Sequence, residues 1–164
     1  MIQKKICMLG SFAVGKTSLV QRFVQNIFSE KYHTTIGVKV DKKLVKVGEQ
    51  ELSLILWDIA GEDGYHVIRS SYLRGASGYL LVVDKTRRNT LDVALEVNVK
   101  AQEALGNVPH LLLLNKWDLD GKWDIDEATI GELIKNGWDV VKTSAKTGLG
   151  VEEAFIKLAT RMIG

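Results

Sequence analysis

The chain has 164 residues, 46% of them hydrophobic and 26% charged, with a net charge of +2. That length predicts one domain, residues 1–164, with a core that needs no staples, and the near-neutral charge gives no electrostatic argument for nucleic acid. A single cysteine excludes an internal disulfide, and no apolar run approaches the roughly 18 residues of a membrane span.

The N-terminus lacks the apolar stretch of a signal peptide. Residue 2 is Ile, and Arg161-Met162-Ile163-Gly164 contains no cysteine, so neither a myristoyl nor a prenyl anchor is expected. The expectation is a cytoplasmic monomer with no membrane anchor of its own and no nucleic-acid partner.

Lys4–Leu9 reads as a short buried strand, with Cys7 as a small buried hydrophobe. Gly10-Ser11-Phe12-Ala13-Val14-Gly15-Lys16-Thr17 follows and fits G-x-x-x-x-G-K-[ST], the loop that cradles a nucleotide triphosphate. The residue types suit that task. Gly10 and Gly15 allow tight turns and a close approach to phosphate. Successive N–H groups point inward at the anion. Lys16 adds a positive charge at the β- and γ-phosphates, and the Thr17 hydroxyl is a hard oxygen suited to Mg²⁺. Lys16–Asn26 is the helix after the loop, with Leu19, Val20, Phe23 and Val24 at helical spacing. Its positive dipole end faces the same phosphates, so Ser18 joins the nucleotide-binding set.

Ile27–Ile36 has no regular pattern. Gly37–Val47 and Glu51–Asp58, separated by Gly48-Glu49-Gln50, read as a hairpin. Lys39, Lys42, Lys43 and Lys46 mark its first arm as a charge-protected edge strand. Ile59–Gly75 is again irregular, with room for one short helix. Tyr79–Asp84 is an apolar strand, and Thr90–Leu105 a helix with Leu91, Ala94, Leu95, Val99 and Leu105 on its apolar side. His110–Asn115, with four consecutive leucines, is a strand buried on both faces. Asp126–Asn136 reads as a helix ended by Gly137, Asp139–Lys142 as a strand, and Val151–Met162 as a helix with Ala154, Phe155, Leu158 and Ala159 turned inward. The pattern is an α/β fold: a six-stranded, mostly parallel sheet with one antiparallel edge strand, and five helices.

Four further motifs complete a candidate site. Trp57-Asp58-Ile59-Ala60-Gly61 ends a strand on an Asp suited to a Mg²⁺-associated role, and Gly61 can present its N–H to the γ-phosphate. Thr35 can supply a second hydroxyl to Mg²⁺. In Asn115-Lys116-Trp117-Asp118, the Asp118 carboxylate can accept from the guanine N1–H and exocyclic amine, a donor pair that adenine lacks. Ser144-Ala145-Lys146 can close the other side of the base. On the residues alone, Phe28 also reads as a core aromatic and Tyr32 as a surface residue. His33 and His66 share no metal-ligand spacing and read as exposed polar residues, and Trp57, Trp117, Trp123 and Trp138 read as packing.

With these five motifs in this order, nearly the whole chain resembles the Ras superfamily of small GTPases. Thr34-Thr35-Ile36-Gly37-Val38 and Trp57-Asp58-Ile59-Ala60-Gly61 look most like the Rab-like branch. The resemblance implies a three-layer phosphate-loop NTPase G domain binding GTP or GDP with Mg²⁺, with Ile27–Ile36 and Ile59–Gly75 as its two switch segments. Phe28 would pack on the guanine edge, Tyr32 would cover the phosphates, Lys116 would lie along the base and the Ala145 N–H would reach the guanine carbonyl oxygen. Thr17, Thr35 and Asp58 would serve the metal. Effector, exchange-factor and GTPase-activating proteins are the implied partners.

Two positions depart from the family pattern. Glu62 stands where a Gln usually orients the attacking water; a carboxylate can accept from water but cannot donate to the phosphoryl group. With Lys16 and Gly61 it completes the expected catalytic set. Phe12 stands where a small residue is usual, and its ring would crowd an arginine supplied by a partner, so slow intrinsic hydrolysis is expected. The alternatives are a GTP-binding interaction module with little hydrolysis, a G domain excised from a larger protein, and a phosphate-loop ATPase or kinase. Asp118 and Ser144-Ala145-Lys146 argue against the last.

Overall fold

Four leucines in a row must point to both faces of any strand that holds them. In the computed structural model, which describes residues 1–29, 37–60 and 70–164, they do. Leu111 and Leu113 join one apolar core, and Leu112 and Leu114 join another on the opposite face of the sheet. The same alternation runs through the neighbouring strands, with Ile6 and Met8 on one side and Cys7 and Leu9 on the other.

The described strands are β1 (Ile2–Gly10), β2 (Val38–Val47), β3 (Gln50–Ile59), β4 (Gly78–Asp84), β5 (His110–Asn115) and β6 (Val140–Lys142). They form one sheet in the order β2-β3-β1-β4-β5-β6. Only the β2–β3 pair is antiparallel; the other four pairings are parallel. The helices are α1 (Lys16–Gln25), α2 (Ser70–Leu73), α3 (Arg88–Leu105), α4 (Glu127–Lys135) and α5 (Val151–Ile163). Helices α1 and α5 cover one face, where Phe23 and Phe155 stack with ring centroids 4.1 Å apart. Helices α2, α3 and α4 cover the other. The result is a three-layer architecture, in keeping with the α/β fold that the alternating pattern predicts.

β2 lies at the sheet edge, as its lysines predicted. The hairpin is tighter than expected, because Gln50 pairs with Val47 and leaves a two-residue turn. Gly48 carries φ +61, which that turn demands and glycine supplies cheaply. Helix α4 starts one residue later than expected because Asp126 is its cap, accepting from the Thr129 N–H.

One inward assignment on α3 is corrected. Val99 is 56% exposed, while the polar Asn98 beside it is buried. The Tyr79 hydroxyl donates to Asn98 Oδ1 at 2.6 Å, so the helix turns its amide inward and packs on Val97 and Ala101 instead. Hydropathy alone could not register that polar anchor. Leu95 and Leu105 are partly buried against the same core, and Leu91 and Ala94 fully so.

β1 sits between β3 and β4: the chain leaves it toward β2 at one edge, and after β3 it crosses to β4 on the other side. The crevice at its carboxyl end is where open α/β sheets bind ligands. The loop of residues 11–15 lies there.

Candidate functional site

The loop after β1 is held by backbone conformations that ordinary residues avoid. Gly10 has φ +144, and a Cβ there would come 2.5 Å from the Val82 carbonyl oxygen. Gly15 has φ +102 and lies so close to the Asn115 carboxamide that no side chain fits. Ala13 adopts φ +62, a left-handed value that is strained for a residue with a Cβ. Strain of this kind collects at binding sites. Gly15 is also the N-cap of α1 and provides no capping side chain, so the first N–H groups of that helix remain available to an anion.

Lys16 opens α1 and folds back over the loop. Its ammonium donates to the Gly10 carbonyl at 3.0 Å and the Ser11 carbonyl at 2.9 Å, and only 6% of the residue is exposed. An ammonium this buried must be held by partners of opposite polarity. Next to it, the Thr17 hydroxyl donates to Asp58 Oδ2 at 2.5 Å. Asp58 stands at the end of β3 and is 1% exposed. A hydroxyl and a carboxylate, both hard oxygens, therefore meet beside the phosphate loop, and this donor set fits Mg²⁺.

The loop after β5 is joined to the phosphate loop by two side chains. Asn115 Nδ2 donates to the Val14 carbonyl at 2.9 Å, and Asn115 Oδ1 accepts from the Thr143 hydroxyl at 3.1 Å. Lys116, at φ +66, sends its ammonium to the Ala13 carbonyl at 3.0 Å and to Asp84 Oδ2 at 3.0 Å. Asp118 Oδ1 accepts from the Ser144 hydroxyl at 2.7 Å, which itself accepts from the Thr147 N–H at 3.1 Å. The two motifs expected to flank a base are thus in direct contact. Ala145 is buried, and its carbonyl accepts from Arg22 Nε at 2.7 Å; the same guanidinium reaches the Lys146 carbonyl. Phe28 is half-buried against the α1–α5 core.

Three residues of this arrangement escaped the sequence reading. Asp84 is a buried carboxylate beneath the loop. Burial works against its charge, but the hydroxyl and N–H of Thr86 and the ammonium of Lys116 together outweigh it and hold the group below the usual 3.8. Arg87 contacts Asp84 Oδ2 through Nε at 3.1 Å and the Phe12 carbonyl through Nη2 at 3.0 Å. Arg22 fixes the loop of Ala145 and Lys146. Asp84 had a signal, since it ends an apolar strand as Asp58 does; the two arginines had none.

Phe12 is 40% exposed at the edge of the loop. Val14 is buried in the core beneath it, and Ser18 lies partly buried in the first turn of α1. Tyr32, Thr35, Gly61 and Glu62, with Lys31, His33 and His66, lie outside the described residues. Of the tryptophans, Trp57 packs beneath the Lys5 ammonium, 3.6 Å from its ring centroid, and Trp138 meets His110 edge-on. No described helix is long and apolar enough to cross a membrane.

The chain is similar to known proteins over nearly its full length. The family model described as the Ras family matches residues 5–164. The Ras-related protein Rab-1 of Theileria parva is 38% identical over 160 residues, covering 94% of this chain and 72% of that protein. The Ras-related protein Rab-1 of Theileria annulata is 36% identical over 158 residues, with coverages of 94% and 72%. The Ras-related protein Rab-4B of Homo sapiens is 35% identical over 161 residues, covering 97% of this chain and 76% of its own length.

Proposed function

The chain belongs to the Ras family and is a GTP-binding GTPase switch, and we propose that it signals through two segments, 27–36 and 59–75, which GTP and Mg²⁺ order together. The observation that carries this reading is the joining of the base-side loop to the phosphate loop. Asn115 and Lys116 hold the carbonyls of Val14 and Ala13, while Lys16 holds those of Gly10 and Ser11. A nucleotide spanning both loops would meet one rigid unit.

In this reading the backbone N–H groups of residues 13–18 and the Lys16 ammonium bind the phosphates. Thr17, Asp58 and Thr35 would hold Mg²⁺, which would supply charge neutralisation for the phosphates. Asp118 accepts from the guanine N1–H and amine, with Ser144 fixing the carboxylate, Ala145 offering its N–H to the guanine carbonyl, and Lys116, Lys146 and Phe28 flanking the ring. Hydrolysis joins a water oxygen to the γ-phosphorus and breaks its bond to the bridging oxygen of GDP. Glu62 accepts a hydrogen bond from that water, and the Gly61 N–H binds the γ-phosphate. Loss of the γ-phosphate releases the two segments, and effector binding ends. Ras-family proteins work with effector, exchange-factor and activating proteins; here the two segments and the lysine-rich edge strand β2 form the surface they read, and the protein acts as a monomeric single domain.

A second reading, a GTP-binding module that hardly hydrolyses, draws on Phe12, which stands half-exposed at the edge of the loop. Chromatographic identification of the nucleotide carried by the purified protein, followed by its conversion over hours, tests both. Bound guanine nucleotide with GTP turning to GDP supports the switch. Stable GTP favours the module, and displacement of labelled GDP by ATP would overturn both.

A further inference from the structure

Lys85 follows directly on β4, between the buried Asp84 and Thr86, and is only 1% exposed. A lysine so enclosed is unusual, because an ammonium leaves water at high cost unless partners replace it. Among the described residues, the partners of its ammonium belong to one loop. The ammonium donates to the Trp117 carbonyl at 3.2 Å. It lies 4.8 Å from the Trp117 ring centroid and 4.2 Å from that of Trp123. The two indoles meet edge-on with centroids 4.4 Å apart. The backbone of Lys85 engages the same loop at both ends: its N–H donates to the Asn115 carbonyl at 3.3 Å, and its carbonyl accepts from Asp124 N at 2.9 Å and Ile125 N at 3.3 Å.

The loop 115–125 is therefore closed around one residue. Trp117 stands between Lys116 and Asp118, and both of its backbone groups are engaged: its carbonyl by Lys85, its N–H by the Thr143 carbonyl at 3.0 Å. The preceding residue, Lys116, is in the left-handed region at φ +66, a conformation that persists only when its surroundings enforce it. An apolar side chain at position 85 could fill the same space but could not hold the Trp117 carbonyl.

We propose that Lys85 is a positioning residue for guanine selection, acting through Trp117 to fix the direction in which Asp118 meets the base. The inference rests on the reading of Asp118 as the guanine-recognising carboxylate. Packing alone would make Lys85 matter for stability only. A positioning role makes it matter for the difference between guanine and a base that lacks the exocyclic amine.

The test is Lys85→Met, which keeps length and apolar volume, with affinities for GDP and inosine diphosphate measured by competition against a fluorescent GDP. The preference for GDP is expected to narrow about tenfold, the worth of one hydrogen bond to a charged group. Trp123→Leu keeps the lysine, removes one ring from a partly exposed site, and should narrow the preference in the same direction by less. Asp118→Ala, run in parallel, should abolish the preference. If Asp118→Ala abolishes it and folded Lys85→Met leaves it intact, the role of Lys85 falls alone. Should Lys85→Met not fold, an intact preference in Trp123→Leu overturns the proposal equally. If Asp118→Ala leaves the preference intact, the guanine reading and the role of Lys85 fall together.

Discussion

The guanidinium of Arg87 reaches across to the carbonyl of Phe12, 75 positions earlier in the chain, and donates to it at 3.0 Å. Its Nε rests on Asp84, and Asp84 also holds Lys116, which donates to the next carbonyl of the loop, that of Ala13. One buried carboxylate thus steadies two cations that grip adjacent loop residues. The left-handed Ala13 is itself one of the gripped residues, so the strain of the loop is opposed from below.

Asp84→Asn would keep the shape of this hub and remove its charge. Leaving two cations, each about a third exposed, without their buried partner should cost about 2 kcal/mol of stability and speed GDP release, read by urea unfolding and by fluorescent-nucleotide dissociation. The pH dependence has a definite sign. A carboxylate whose folded pKa lies below its usual 3.8 contributes stability that is present above that value and lost as pH falls through the folded pKa. Wild type should therefore lose stability more steeply than Asp84→Asn below about pH 3.8, and equal slopes would remove Asp84 from the account.

Glu62→Ala should slow single-turnover hydrolysis by about 10²-fold, in the range that positioned acid–base groups supply, while GTP still binds. Quenched-flow or chromatographic turnover of preloaded protein measures it. An unchanged rate would show that the attacking water is oriented by another group.

Phe12→Gly should restore sensitivity to an activator that supplies an arginine, since the crowding ring is gone and the Arg87 contact is to the backbone and survives. An arginine delivered in this way is worth about 10³-fold or more in rate. Hydrolysis measured with and without such an activator checks it, and an equal response in wild type and variant would count against crowding.

Cys7 is fully buried in β1, and burial pushes its thiol up to about 11 despite the nearby Lys5 ammonium. The native protein should resist a maleimide at pH 8 and react on unfolding in urea, which mass spectrometry reads directly. A raised thiol pKa is also a stability statement. Its contribution is complete below 9.0 and is lost as pH rises toward about 11, so Cys7→Ala should show a shallower alkaline loss than wild type.

Much of the site could be read without coordinates because its chemistry depends on short spacings. Gly10, Gly15, Lys16 and Thr17 lie within eight positions, and a backbone that must turn, cap a helix and present a cation has few sequences available to it. Asn115 and Asp118 are likewise close, and the leucines of β5 declared a doubly covered strand. Val99 shows where such reading failed: periodicity assumes that apolar residues face inward, and the buried bond from Tyr79 to Asn98 turned the helix otherwise.

The sequence by itself determined the order of strands and helices, the phosphate loop and the residue types at each end of the nucleotide, because local backbone sterics and hydropathy act between near neighbours. Only the tertiary structure decided which distant groups support that loop. Asp84, Arg87, Arg22 and Lys85 do so through contacts 32 to 124 positions apart or through a buried charge, and neither propensity nor spacing encodes an electrostatic contact that exists only once the sheet has brought its carboxyl ends together.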